Sequence, residues 1–183
     1  MGKLCKFGIA AGLAVVLPLA ATTLQRLTLP EMAQKSTAIV RARVTASTGV
    51  LRGGDVYTVY RLEPVEVWKP GAAGVPKEVA VPGGVAGGFR QPVEGAPTLA
   101  AGREYVLFLW TSRTGLTQLI GLSQGLFDVR SEGGALTAWR EAAGERVVDA
   151  SGRLVTDEAV SLKLADLKAQ VTRALSAAGA GAK

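Results

Sequence analysis

Between Glu104 and Arg130 the chain reads Glu-Tyr-Val-Leu-Phe-Leu-Trp-Thr, Ser-Arg-Thr-Gly, Leu-Thr-Gln-Leu-Ile-Gly-Leu, Ser-Gln-Gly and Leu-Phe-Asp-Val-Arg. Tyr105 to Trp110 is an unbroken apolar run rich in aromatic and β-branched residues, too short for an independent helix and closed by Ser112 to Gly115. It predicts a strand buried on both faces. Leu116 to Leu122 and Leu126 to Arg130 supply two further strands separated by tight turns, and the remainder of the chain must pack on these three.

The segments around this centre are mostly strands. Thr28 to Ser36 carries a cap residue, a proline near the first turn and an acid close behind it, which predicts a short helix. Thr37 to Thr48 alternates with a period near two, Ile39, Ala42, Val44 and Ala46 against Arg41, Arg43, Thr45 and Ser47. Gly49 to Asp55 predicts a turn. Val56 to Trp68 follows as a long strand whose alternation changes phase at Pro64, where the missing N–H calls for a bulge or an edge. Strands broken in this way let small barrels turn corners. Glu78 to Pro82 is a short strand, and the glycine- and proline-rich Gly83 to Gly102 is a wide loop or irregular hairpin of the kind that carries function.

After Gly133-Gly134, Leu136 to Arg140 predicts the last short strand of the sheet. Glu141 to Glu158 reads as polar connection holding a small hairpin, Val147-Val148 with Leu154-Val155. Ser161 is expected to cap an amphipathic helix, with Leu164, Leu167, Val171, Ala174, Leu175 and Ala178 on one stripe and Lys163, Asp166, Lys168, Gln170 and Arg173 opposite. Residues 179–183 form a tail expected to fray.

The N-terminus has the layout of a secretory signal. Lys3 and Lys6 precede an apolar run from Phe7 to about Ala21 that is shorter than the roughly 20 residues needed to cross a bilayer. Cleavage after Ala21 leaves a domain over residues 22–178 with no membrane span, exported to the periplasm or secreted. The loss of Lys3 and Lys6 takes the formal charge from +6 to +4. Cys5, the only cysteine, leaves with the signal, so stability without disulfides must come from packing.

Composition narrows the chemistry. The sequence contains no histidine. With no cysteine in the mature part either, nitrogen- and sulfur-ligated zinc and the Ser-His-Asp and Cys-His nucleophiles are excluded. Lys35-Ser36 and Ser161 with Lys163 are Ser-Lys pairs in form, but both serines are better read as helix ends. Paired carboxylates remain available to a glycosidase-like hydrolase, with Glu63, Glu66, Glu94, Glu104 and Asp128 as candidates, Glu63 and Glu66 depending on the break at Pro64 to bring them to one side. Glycine-rich Pro82 to Gly88 lacks the Gly-Lys-Ser/Thr ending of a phosphate loop. The scattered basic residues, together with export, place nucleic-acid binding below protein binding. Phe89 and Arg90 in the wide loop, Trp68 before Lys69-Pro-Gly, and Trp110 and Arg113 at a hairpin tip are residue types that anchor interfaces, although Trp68 and Trp110 could instead close the ends of a core.

From Lys35 to Val129 the matching words are Ser-Thr-Ala-Ile-Val-Arg-Ala-Arg-Val, Tyr-Thr-Val-Tyr-Arg-Leu, Val-Trp-Lys-Pro-Gly, Val-Pro-Gly-Gly, Ala-Gly-Arg-Glu-Tyr-Val-Leu-Phe-Leu and Ser-Gln-Gly-Leu-Phe-Asp-Val. In this order the chain resembles a group of uncharacterised exported bacterial proteins and, more distantly, is similar to netrin-like and metalloproteinase-inhibitor barrels of the oligonucleotide/oligosaccharide-binding (OB) fold. The resemblance implies a barrel of five or more strands. Inhibitors of that class chelate protease zinc through an N-terminal cysteine that the mature chain lacks, so no inhibitory residue carries over.

The expected fold is therefore mainly β: a small OB-like, partly open antiparallel β-barrel with a short N-terminal helix and a C-terminal amphipathic helix. The expected function is a non-enzymatic module with no catalytic residue, metal or cofactor. It would bind a protein, peptide or surface glycan of the cell envelope or outside through Phe89, Arg90, Trp68, Trp110 and Arg113.

Overall fold

A computed structural model describes residues 23–180; the expected signal segment, residues 1–21, and Cys5 lie outside them. The elements run β1 (Thr23–Gln25), α1 (Leu29–Lys35), β2 (Ala38–Arg52), β3 (Asp55–Lys69), β4 (Glu78–Pro82), β5 (Gly84–Ala86), β6 (Phe89–Gln91), β7 (Glu104–Thr111) and β8 (Thr117–Leu119), then β9 (Leu126–Glu132), β10 (Ala135–Arg140), β11 (Arg146–Val148), β12 (Leu154–Val155), β13 (Val160–Lys163) and α2 (Leu164–Ala180). Among the described residues no helix is long and apolar enough to cross a membrane.

The main sheet has the order β13-β10-β9-β7-β2-β3-β4-β8, and a further β7–β8 pairing bends one end back on itself. Strands β2, β3, β4, β8 and β7 thus form a closed ring of five. Pairing within this sheet is antiparallel except at the seam, where β4 and β8 meet in parallel at one position, Ala80 opposite Gln118. An all-antiparallel sheet is corrected to that extent.

Ring closure depends on bulges. The β2–β3 register shifts three times, leaving Thr45, Val65 and Trp68 without a partner across the pair. Pro64 sits beside the shift at Val65, on a part of β3 beyond the reach of β4, which pairs only Tyr57 to Arg61. Both the missing donor and the kink are thereby accommodated. The β2–β3 hairpin is longer than expected, because Gly49 to Arg52 continue β2 and the turn tightens to Gly53-Gly54, both at positive φ.

Strand β7 is buried from Tyr105 to Leu109 because each of its faces belongs to a different core. Tyr105, Leu107 and Leu109 point into the ring with Val40, Ala42, Val44, Leu62, Val79 and Val81, and Leu99 from the long loop plugs it. Val106 and Phe108 point outward to join Ile39, Phe127, Ala138, Met32 of α1 and Leu167 and Val171 of α2. The amphipathic stripe of α2 covers this outer face. The helix begins later than expected, however. Ser161 is not its cap but lies in β13, opposite Trp139 of β10, and α2 starts at Leu164 and continues to Ala180, two residues into the segment expected to fray. A cap and an edge-strand residue look alike in sequence when a strand runs directly into a helix.

Helix α1 follows its sequence signal. The Thr28 hydroxyl accepts from the Glu31 N–H at 3.4 Å while the Glu31 carboxylate accepts from the Thr28 N–H at 2.8 Å, a reciprocal capping box. At the other end the Lys69 ammonium donates to the carbonyls of Ala33, Gln34 and Ser36, satisfying orphan acceptors. Thr28→Ala is expected to lower stability by about 1 kcal/mol in urea denaturation. The preceding residues are tied down by Gln124, a buried side chain that donates to the Gln25 carbonyl and accepts from the Leu27 N–H. Strand β1 also pairs in parallel with β11, a pairing its three residues did not announce.

Candidate functional site

Gly83 to Gly102 divides into two parts. The first is an irregular hairpin, β5–β6, lying across the far end of the β2–β3 hairpin. The Gly83 N–H donates to the Val56 carbonyl and the Gln91 side chain accepts from the Val56 N–H at 2.8 Å, tying both ends of the hairpin to the start of β3. Gly49 makes the crossing possible, since a Cβ there would lie 1.8 Å from the Val85 carbonyl oxygen. Gly49→Ala should therefore displace β5–β6, costing about 1–3 kcal/mol. It should also raise amide exchange from Val85 to Gln91 while leaving β7 protected.

This crossing puts apolar side chains into solvent. Phe89 is 65% exposed, Val85 62% and Leu51, near the end of β2, 47%. Arg90 and Arg52 are exposed beside them and form no ion pair among the described residues. The result is a platform that carries Phe89 on the face it shares with Ala86, and Val85 with Arg90 on the other.

The second part of the loop is held firmly. Leu99 is buried in the ring core, the Ala100 N–H donates to the Tyr105 hydroxyl at 2.9 Å, and Gly102 and Arg103 exchange backbone hydrogen bonds with Val44. It walls a cleft of about 590 Å³ whose opposite wall is Glu141 to Glu145 and whose floor is Tyr105, Leu126, Asp128, Arg130 and Trp139. The floor continues the sheet face that is apolar inside the ring. Beyond the ring it becomes charged.

Floor and walls are organised by ion pairs. Arg103 and Arg130 both donate to Oδ2 of Asp128, and the Arg130 guanidinium lies 4.0 Å from the Trp139 ring centre. The far wall is fixed by Asp157, buried in the protein, which accepts two bonds from Arg140 and one from the Ala143 N–H at 2.8 Å. Nothing in the polar composition of residues 141–158 marked them as this wall. The ion pair that positions them joins positions far enough apart to be invisible before folding.

The residues expected to bind are not gathered at one place. Phe89 and Arg90 form the platform. Trp110, 46% exposed, stands over the β4–β8 seam beside a shallow pocket of about 240 Å³, and Arg113 is exposed in the adjoining turn. Trp68 lies on the helical side, half-buried against the outer core, with its indole N–H donating to Glu66 at 2.7 Å. Neither tryptophan closes an end of the ring core.

The expected acids are largely engaged. The bulge at Val65 does place Glu63 and Glu66 on one side, opposite Arg43 and Arg41. Glu66, however, is held by Lys168 at 2.7 Å and by Trp68, and these two hydrogen bonds keep its carboxyl below the usual range. Burial pushes the Glu104 carboxyl up, but hydrogen bonds from Arg41 and Arg43 outweigh it and leave the group low. Carboxyls held ionised in this way are poor proton donors. Only Glu94 and Asp128 reach the cleft. Among the described residues no group of three or more His, Cys, Asp or Glu side chains could hold a metal ion.

No protein-family model, curated protein or solved structure matches the chain.

Proposed function

We propose that this is an exported, non-enzymatic binding module, periplasmic or secreted, built on an OB-like, partly open barrel, and that it recognises a protein, peptide or surface glycan through the β5–β6 platform. The observation that carries this reading is the exposure of Phe89 and Val85, two large apolar side chains in solvent on the two faces of a hairpin anchored at both ends. Exposed apolar groups flanked by arginine are the composition of interface hot spots. A fixed hairpin also loses little freedom when it binds. Exposed apolar side chains next to arginine suit a protein or peptide better than a glycan, which is more often held in a concave polar site. Trp110, which borders a pocket with Ala80, Val81 and Pro82 of β4, and Arg113 in the adjoining turn would extend the footprint of a large partner.

The test is affinity capture from the envelope fraction with the mature chain, set against Phe89→Ala and Arg90→Ala. Both side chains are exposed, so the variants should fold as the parent does. Phe89→Ala should weaken the captured interaction at least tenfold. An unchanged set of captured proteins from both variants would move the binding surface elsewhere.

A further inference from the structure

Strand β13 is the open edge of the main sheet. Among the described residues it pairs only with β10, so alternate residues of Val160–Lys163 turn their N–H and C=O groups away from any partner strand. No backbone hydrogen bond from a turn or loop reaches these groups. The strand contains neither a proline nor a bulge, two of the devices that protect an exposed edge from pairing.

A cavity of about 680 Å³ lies beside this edge. Val160 and Leu162, two apart on the strand and therefore on one face, form one wall, and Leu27 and Leu29, from the segment that joins β1 to α1, form another. All four are half-buried, so part of their apolar surface is open to a ligand, and the buried Phe127 and Leu167 lie deeper. Most charges in the lining are already held: Glu31 by Thr28, Arg140 by Asp157 and Asp149 by Arg153. Arg26 is exposed at the cavity and forms no ion pair among the described residues. The same is true of Lys163, exposed on the opposite face of β13.

Edge and cavity call for the same occupant. A strand laid against β13 would meet its unpaired backbone groups and turn every second side chain to the face of Val160 and Leu162, where the cavity is. Its remaining side chains would share the face of Lys163, where a carboxylate directly across the pair is favoured. From these observations we propose that β13 and the cavity form a second binding site, separate from the platform, for an extended peptide that alternates apolar and acidic residues and joins the sheet as a further strand. The backbone ladder supplies affinity and the cavity supplies selectivity for the apolar positions. The site does not depend on Phe89 or Arg90.

The experiment titrates acetyl-Glu-Leu-Glu-Val-Glu-Leu amide into the ¹⁵N-labelled mature protein and follows the amide signals of Val160 to Lys163. Saturable shifts of these amides are expected. Only one edge of the peptide faces β13, so of two probes, one N-methylated at its glutamates and one at its apolar residues, one should bind at least tenfold more weakly than the other. Val160→Lys puts a charge on the apolar wall and should weaken binding at least tenfold, with Leu27→Lys on the facing wall as a second variant should the first fail to fold. Phe89→Ala should bind the probe as the parent does, so failure here is distinguishable from failure of the platform. Equal affinity for the two N-methylated probes, full affinity in a folded Val160→Lys or Leu27→Lys protein, or no shift in β13 at millimolar probe would each overturn the assignment. Shifts of the β13 amides that grow with protein concentration in the absence of peptide would also overturn it, by placing a second copy of the chain at this edge.

Discussion

Asp157→Ala is expected to lower stability by about 3–5 kcal/mol, seen as a lower urea midpoint at unchanged slope. The Asp157 side chain is 2% exposed and that of Arg140 is 11%, and their two hydrogen bonds, at 3.0 and 3.1 Å, form a bidentate pair. Removing the carboxylate leaves a buried guanidinium uncompensated and the Ala143 N–H without its acceptor, so the loss should far exceed that of a surface ion pair. Arg140→Met should cost a similar amount. Because each single change strands the other charge, the double replacement Asp157→Leu with Arg140→Met should cost much less than the sum of the single variants.

The same pair gives a pH signature. Burial, the largest influence, pushes the Asp157 carboxyl up, but the bonds from Arg140 and Ala143 outweigh it and hold the group below the usual aspartate value. A carboxyl depressed by folding contributes stability that is complete above the unfolded value, about pH 4, and is lost as the pH falls through the lowered folded value. The parent should therefore lose stability below about pH 4 more steeply than Asp157→Ala. Parallel slopes in that range would place the acid sensitivity in other carboxylates.

Phe108→Ala is expected to cost about 3–5 kcal/mol, a large share of the total for a domain of this size. Phe108 is fully buried and its ring lies 5.8 Å from that of Phe127, on the face that receives both helices. Its loss leaves a cavity beneath α1 and α2, so helical circular dichroism should fall at lower urea in the variant than in the parent. Phe108→Leu, which refills most of the space, should retain more than half the lost stability. An alanine variant within 1 kcal/mol of the parent would mean that the outer core collapses to fill the gap.

These two predictions fall on opposite sides of what the sequence could reveal. Phe108 belongs to a run whose unbroken apolarity announced a strand covered on both faces, and the two cores meeting on β7 are the reason. Glu78 to Pro82, the Thr28 cap and the irregularity at Pro64 were legible because each rests on neighbouring residues. Asp157 was not, because its value comes from Arg140 and Ala143, brought beside it only by the fold. Ser161 misled for a related reason: its pairing with Trp139 is a tertiary fact that overrides a good capping residue. Of the candidate site, the exposed Phe89 could be expected from its glycine-rich surroundings. The cleft could not, since its two walls come from segments about fifty residues apart that are polar for no local reason.

The single pair that joins β4 to β8 bears on how the molecule assembles. Its two positions are separated by the whole β5–β6 hairpin, the long loop and β7, so bringing them together sacrifices more chain entropy than any neighbouring hairpin and returns only one parallel bridge. Zipping of β2 with β3 and docking of β7 should come first, with the ring sealed last. The backbone hydrogen bonds of the Ala80–Gln118 bridge are then where the ring should open most readily, their amides exchanging with solvent while the β3–β4 and β7–β8 pairings on either side stay shut.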